Sequence, residues 1–259
     1  MQQNGRGTVI VTGGARGIGA AVVTLCAQAG HDVLFSYARN RERAEAVVAA
    51  CAPFGSKVAA IEADARDAAA CEALVERATA LSDIVGLVNN AGVTSRIGSF
   101  LDVDVPTLRD VLDVNVLGTM LMCQSVIRYW TRRGSPGAIV NVSSIAATLG
   151  APGEYIHYAG SKAAVEGFTV GLANPRALRG AGPRRSGRPE NSDEAGGRAA
   201  GNRRGDRVAP VVQGVLRDGS GPARVGRPLA DRDGRSRTLP SATLIEPDQR
   251  AMQRPLCLT

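Results

Sequence analysis

Tyr158 and Lys162 stand four residues apart in the run Tyr155-Ile156-His157-Tyr158-Ala159-Gly160-Ser161-Lys162. On a helix that spacing sets a phenol and an ammonium side by side on one face. An ordinary tyrosine titrates near pH ~10 and gives up its proton poorly at neutral pH. A cation held close favours the phenolate and draws that value down. The pair is therefore a candidate general acid/base. Tyr155 lacks the same partner, because Ala159 stands four residues on from it. The same spacing occurs on solvated helix faces, so its meaning depends on what surrounds it.

Placing this pair requires a scaffold, and the chain supplies strands alternating with helices. Thr8-Val9-Ile10-Val11 reads as a short buried strand, followed by Thr12-Gly13-Gly14-Ala15-Arg16-Gly17-Ile18-Gly19 and a helix to about Ala29, closed by Gly30. Strand, glycine turn and helix form the context of a phosphate-binding turn. Glycines admit a pyrophosphate close to the backbone, and the helix N-terminus offers N–H groups and positive dipole. A second strand, Asp32 to Tyr37, ends in Tyr37-Ala38-Arg39-Asn40-Arg41. Rossmann sites for NAD usually carry an acid there for the ribose 2′-OH. Here there is none. Arg39 can grip a 2′-phosphate, and Arg16 can join it or stack on the adenine. The reading is NADP in preference to NAD, with two solvated arginines as the bland alternative.

A helix follows over about 40–51, then a strand from Lys57 to Glu62. Ala63-Asp64-Ala65-Arg66-Asp67 leaves that strand, with Asp67 suited to cap the next helix, which runs to about Leu81. Ile84 to Asn89 is an apolar strand running into Asn90-Ala91-Gly92. Residues 106–131 carry a long amphipathic pattern with Asn115 inside it. Ala138 to Val142 is a fifth strand, ending in Ser143-Ser144. The fold class is α/β, a Rossmann-type doubly wound parallel sheet covered on both faces. Sites in such sheets lie beyond the carboxyl ends of the strands, where Gly13, Asn90, Ser144 and Tyr158 all fall.

With those residues in place, the chain resembles the short-chain dehydrogenase/reductase family. The resemblance rests on TGGARGIG at 12–19, Asp64, NNAG at 89–92, NVLG at 115–118, Ser144 and YAGSK at 158–162, over about residues 7–173. It looks most like the subgroup of acyl-carrier-protein ketoreductases and bacterial glucose dehydrogenases. The resemblance implies that Tyr158 is the general acid in carbonyl reduction. It implies that Lys162 lowers the Tyr158 pKa and binds the nicotinamide ribose, and that Ser144 hydrogen-bonds the carbonyl oxygen. Asn115 would hold a water linking Lys162 to solvent. Gly13, Arg16, Gly17, Ile18, Gly19, Tyr37, Arg39, Asp64, Ala65, Asn90, Ala91 and Gly92 would line NADP. Ser144 is preferred to Ser143, although it precedes Tyr158 by fourteen residues where the family's serine precedes by thirteen; one extra residue between Leu149 and His157 accounts for the offset. The implied substrate is a small carbonyl or alcohol, and the implied assembly a homo-dimer or tetramer.

Composition sets the remaining bounds. Five scattered cysteines (Cys26, Cys51, Cys71, Cys123, Cys257) with no CxxC pair point to reduced thiols, no metal site and a cytoplasmic location. The N-terminus leads straight into a strand and does not read as a signal peptide. No apolar run is read as long enough to span a membrane. The formal charge is +7 over 259 residues, but residues 1–173 carry −1 and residues 174–259 carry +8. The basicity therefore says nothing about the first two-thirds, and no nucleic-acid partner is expected.

Two regions follow from this: a nucleotide-binding domain over 1–173 and an atypical tail over 174–259. Pro175 interrupts the last helix, and the tail holds 17 of the 29 arginines with no Phe, Tyr, Trp, His or Lys. Such composition reads as irregular structure, and an abrupt onset inside a helix fits a frame change in a GC-rich gene. Only Arg207–Leu216 and Thr238–Ile245 read as apolar segments. The expectation is that the family's C-terminal strands and substrate loop are missing or altered, with few contacts from the tail to the sheet, no sixth strand like the family's and an exposed sheet edge.

Overall fold

The computed structural model describes residues 6–174 and the backbone of 211–218. These residues all lie within the first of two units, Met1–Gly226 and Arg227–Thr259. In chain order the elements are β1 (Thr8–Val11), α1 (Gly17–Gln28), β2 (Asp32–Tyr37), α2 (Arg41–Cys51), β3 (Val58–Glu62), α3 (Ala68–Thr79), β4 (Ile84–Asn89), α4 (Val105–Leu112), α5 (Gly118–Arg133), β5 (Gly137–Ser144), α6 (Ala146–Leu149), α7 (Ile156–Leu172) and β6 (Val211–Asp218). Every strand pair is parallel, in the order β3-β2-β1-β4-β5-β6. The order reverses between β1 and β4, and that reversal opens a crevice at the carboxyl ends of those two strands.

Every residue of β1 and β2 is buried, because helices cover both faces of the sheet. Strand pleating divides the core into two layers. Ile10, Leu34, Leu87 and Ile139 pack with Leu74 of α3 and Met122, Val126 and Trp130 of α5. On the other face Val9, Val11, Val33 and Phe35 pack with Val23 and Ala27 of α1 and Ala44 of α2. Trp130 fits because Gly137 opposite it has no side chain, and its indole N–H donates to the Ile84 carbonyl at 2.7 Å. Helix starts follow the side chains that cap them. Asn40 accepts from the Arg43 N–H at 2.8 Å, and Asp67 from the Ala69 N–H at 2.8 Å, as its place before α3 predicts.

Two expectations are corrected. A sixth strand exists: Val211–Asp218 pairs with β5 along its whole length, from Gly137 opposite Val211 to Ser144 opposite Asp218. It overlaps the Arg207–Leu216 apolar segment. The tail's average composition hides eight residues able to pair, and the open N–H and C=O groups along β5 offer them partners. The edge expected at β5 is therefore covered by β6, which also corrects the expectation of few contacts to the sheet. The other tail expectations concern residues outside those described. Second, the continuous helical run Val105–Arg133 does reach the length and apolarity of a membrane span, contrary to the sequence reading. Half of an apolar eighteen-residue stretch of that run is buried, against α3 and the sheet, as in a core helix.

Candidate active site

The crevice is closed at its base by hydrogen bonds between the two strand ends. Thr12 Oγ1 accepts from the N–H groups of Asn90 and Ala91, each at 3.0 Å. Asn90 Nδ2 donates back to the carbonyls of Thr12 and Gly13 at 3.0 and 2.9 Å. The glycine turn also leans on β2, where Gly14 N–H donates to the Ser36 carbonyl at 2.9 Å. Side chains would not fit here. A Cβ on Gly14 would stand 2.6 Å from Phe35 Cβ, and one on Gly19 would overlap the Gly13 carbonyl oxygen. Gly17 has open space around it but sits at φ 54°, a region that favours glycine. The α1 N-terminus beyond the turn has Arg16 at its cap position and no side-chain cap. Arg16, Gly17 and Ile18 are exposed there, and the first N–H groups of a helix have no partner within it, which is what an anion cradle uses.

At the adenine end expected from the sequence, Tyr37 is buried and Arg39 exposed. Asp64 is not a lone carboxylate. Arg66 grips it through Nε and Nη2 and also reaches Asp110 of α4 at 2.8 Å. The hydrogen bonds from Arg66 hold the Asp64 carboxyl below the ordinary aspartate range, and Arg39 adds to that pull. The reach of Arg66 to Asp110 is not visible in the sequence, since it joins residues 44 positions apart.

Between α4 and α5 the helix makes one π-turn, Asp113–Leu117, and Asn115 sits in it fully buried. Such turns recur at functional sites. The Asn115 amide accepts from the Val93 N–H at 2.8 Å, and donates to the Val93 carbonyl and to Ser161 Oγ, each at 2.9 Å. It thus fastens the segment after Gly92 to the helix that carries Tyr158 and Lys162. A Cβ on Gly92 would lie 3.2 Å from Asn115 Oδ1 and 3.5 Å from Lys162 Nζ, so the NNAG segment, Asn115 and Lys162 meet at one point. Ser161 is the partner missed in the sequence; it stood inside the YAGSK run without an assigned role.

Tyr158 lies in the first turn of α7 and Lys162 one turn on, both buried, with Lys162 Nζ 5.7 Å from the Tyr158 ring centre. Lys162 Nζ donates to the Val142 carbonyl at 2.8 Å. Tyr155 meets Tyr158 edge to face at 5.4 Å between ring centres. The two serines at the end of β5 differ in their bonding. Ser143 is fully buried and donates to Glu166 Oε1 at 2.8 Å, whereas Ser144 Oγ accepts from the Ala146 N–H at 3.3 Å. The segment before Tyr158 is tied to the β4–α4 connection by Gly98 N–H to the Glu154 carbonyl at 3.0 Å, and by His157 Nε2 near the Thr94 carbonyl at 3.2 Å. The structure thus gathers Asn115, Lys162, Tyr158 and Gly92 around one point. The glycine turn and Asn90 lie at the crevice base, with Tyr37 at the end of β2 and Arg39 and Asp64 just beyond the ends of β2 and β3.

Comparison with known proteins bears on this arrangement. Residues 7–180 match the family model for short chain dehydrogenases. Over 177 residues the chain is 37% identical to the uncharacterized oxidoreductase YgfF of Escherichia coli, covering 66% of this chain and 70% of that protein. It is 34% identical over 174 residues to the 3-oxoacyl-acyl-carrier-protein reductase FabG of Staphylococcus aureus, covering 67% and 70%. Among solved structures, a short chain dehydrogenase from Burkholderia cenocepacia in complex with NADP is similar at 38% identity and a TM-score of 0.61, over 67% of this chain and 70% of that one. All three similarities take in about two-thirds of the chain.

Proposed function

The chain belongs to the short-chain dehydrogenase family and is an oxidoreductase of that kind; from that premise we propose that it reduces a small ketone or aldehyde with NADPH, or runs the reverse. The observation that carries the reading is the convergence of Tyr158, Lys162 and Asn115 beside the segment that closes the crevice. The crevice fits a dinucleotide: the turn has room only for glycine at positions 14 and 19, and the α1 N-terminus beyond it has no side-chain cap. Gly13, Gly17, Ile18 and Gly19 would hold the pyrophosphate, Asp64 and Ala65 the adenine, and Asn90, Ala91 and Gly92 the remainder. Arg39 and Arg16, both exposed where no acid ends β2, would take the 2′-phosphate. The similar Burkholderia protein, solved with NADP, supports that preference.

The nicotinamide, when bound, supplies the hydride to the carbonyl carbon. Tyr158 donates its phenolic proton to the carbonyl oxygen as the alcohol forms. Lys162 favours the resulting phenolate, as does the N-terminal end of the α7 dipole. Ser144 hydrogen-bonds the same oxygen and orients it. Asn115 holds the loop at Val93 against α7, and through a water it would connect Lys162 to solvent.

The test is NADPH oxidation with a panel of small ketones and aldehydes, read beside NADPH and NADH binding. Tyr158→Phe should lower kcat by at least about 10²-fold, and Tyr155→Phe far less. NADPH should bind more tightly than NADH, with the gap narrowing in Arg39→Ala. The reverse tyrosine ranking, or equal affinities at low salt, would refute the assignment. A second reading is a nucleotide-binding chain with impaired turnover. It is favoured by similarity that ends near residue 180, where the composition changes. NADPH binding with no turnover of any carbonyl would select it.

A further inference from the structure

A ladder of polar contacts fastens α7 to three consecutive residues near the end of β5. Asn141 Nδ2 donates to Thr169 Oγ1, Lys162 Nζ donates to the Val142 carbonyl, and Ser143 Oγ donates to Glu166 Oε1, each at 2.8 Å. The rung at Asn141 is anchored from behind, because Asn89 Nδ2 of β4 donates to Asn141 Oδ1 at 2.9 Å. Thr169 in turn donates to the Val165 carbonyl at 2.7 Å. Tyr158, Lys162 and Glu166 follow one another at four-residue steps, so they share one face of α7. Ser143 is fully buried, and a buried hydroxyl requires an acceptor. Its acceptor is a carboxylate, so this rung is charge-assisted, as is the one from the Lys162 ammonium to the Val142 carbonyl. The residue directly after Ser143 is Ser144.

We infer that Glu166 is a positioning residue for the reaction proposed above. By accepting from Ser143 it fixes the end of β5 along α7, and with it the separation between the Ser144 hydroxyl and the Tyr158 phenol. The inference rests on the reading of Tyr158 as the proton donor. Misplacement of a reacting group by about an ångström can cost up to about 10²-fold in rate, so one rung is expected to matter to chemistry more than to cofactor binding.

The experiment uses the full chain, with NADPH and ethyl acetoacetate as the probe ketone. Glu166→Ala should lower kcat about tenfold or more, leaving NADPH affinity and the KM for NADPH unchanged. Glu166→Gln keeps an acceptor oxygen for Ser143 and should restore most of the rate. Ser143→Ala should match Glu166→Ala, and the double variant should be no slower than either. Wild-type kcat in Glu166→Ala, or additive losses in the double variant, overturns the inference. Tyr158→Phe separates the two claims: if it turns over normally, the reading of Tyr158 has failed; if it is inert while Glu166→Ala is not impaired, the positioning role alone has failed. Hydrogen exchange needs no substrate. Amide exchange at Ser144–Ala146 should quicken in Glu166→Ala and in Ser143→Ala but not in Glu166→Gln, and unchanged exchange in both alanine variants also overturns it.

Discussion

Gly19→Ala tests whether the glycine turn is built by close packing. An added methyl would overlap the Gly13 carbonyl oxygen and stand 2.5 Å from Asn90 Nδ2. The carbonyl belongs to the backbone and cannot rotate away, so the turn or the Asn90 amide must shift. Overpacking of this kind costs about 1–3 kcal/mol. Losing the two bonds from Asn90 Nδ2 to Thr12 and Gly13 adds roughly 0.5–1.5 kcal/mol for each. Replacing glycine by alanine in a helix returns at most about 1 kcal/mol. The net loss is therefore about 1–6 kcal/mol. Gly167 on α7 is the control, since a methyl there meets no atom within 4 Å and the helix should gain up to about 1 kcal/mol. Gly17 separates conformation from contact: it has open space but φ 54°, and alanine should cost about 1–2 kcal/mol. Urea midpoints at constant slope give all three values, and NADPH titration reports whether the crevice survives. If Gly19→Ala is as stable as Gly167→Ala, close packing does not hold this turn.

Other outcomes are expected elsewhere in the fold. Burial pushes the Cys123 thiol up to about 12 and the Cys71 thiol up to about 11, so iodoacetamide at neutral pH should leave both unmodified in the native chain and label both in urea, as read by peptide mass. The Asp64 carboxyl is depressed by Arg66, so its contribution to stability is present above the ordinary aspartate value and fades as pH falls through the depressed one. Arg66→Ala should therefore flatten the acid side of the urea-midpoint profile, by little because the pair is half exposed; an unchanged profile would contradict the assignment. Asp67→Ala should cost about 0.5–2 kcal/mol through loss of the α3 cap, checked by the same midpoint. Reading the gene around codons 170–180 decides between a frame change and a natural tail.

Much of the scaffold was legible because buried parallel strands read as short, largely apolar runs. Thr8–Val11, Asp32–Tyr37 and Ile84–Asn89 begin and end where the residue types predict. Asn115 was legible as an interior residue of a long helix, but its partners were not. Val93 and Ser161 lie 22 and 46 positions away, and no local pattern announces a side chain that bridges such distances. The π-turn around it left no trace in the apolar periodicity. Arg66 was passed over because an exposed arginine in a loop looks solvated until Asp110 is brought next to it by the fold. The strand at Val211–Asp218 was missed for another reason. Composition averaged over a long basic segment cannot report eight residues whose pairing is decided by the open side of β5.

The π-turn at Asp113–Leu117 has a consequence for how the chain tolerates change in length. A π-turn is one residue more than an α-helix needs, and one residue is about 100° of rotation in a helix of 3.6 residues per turn. The α4 and α5 halves are therefore out of phase, each aimed by its own packing. Deleting Val114 would let the run from Val105 to Arg133 close into an uninterrupted α-helix with more regular hydrogen bonding. It would also turn one half against the other, sending Asn115 out of its contacts with Val93 and Ser161 or Trp130 out of its slot beside Gly137. Local regularity and the placement of distant side chains are in conflict at this point, and the irregular form is the one in which both halves keep their contacts.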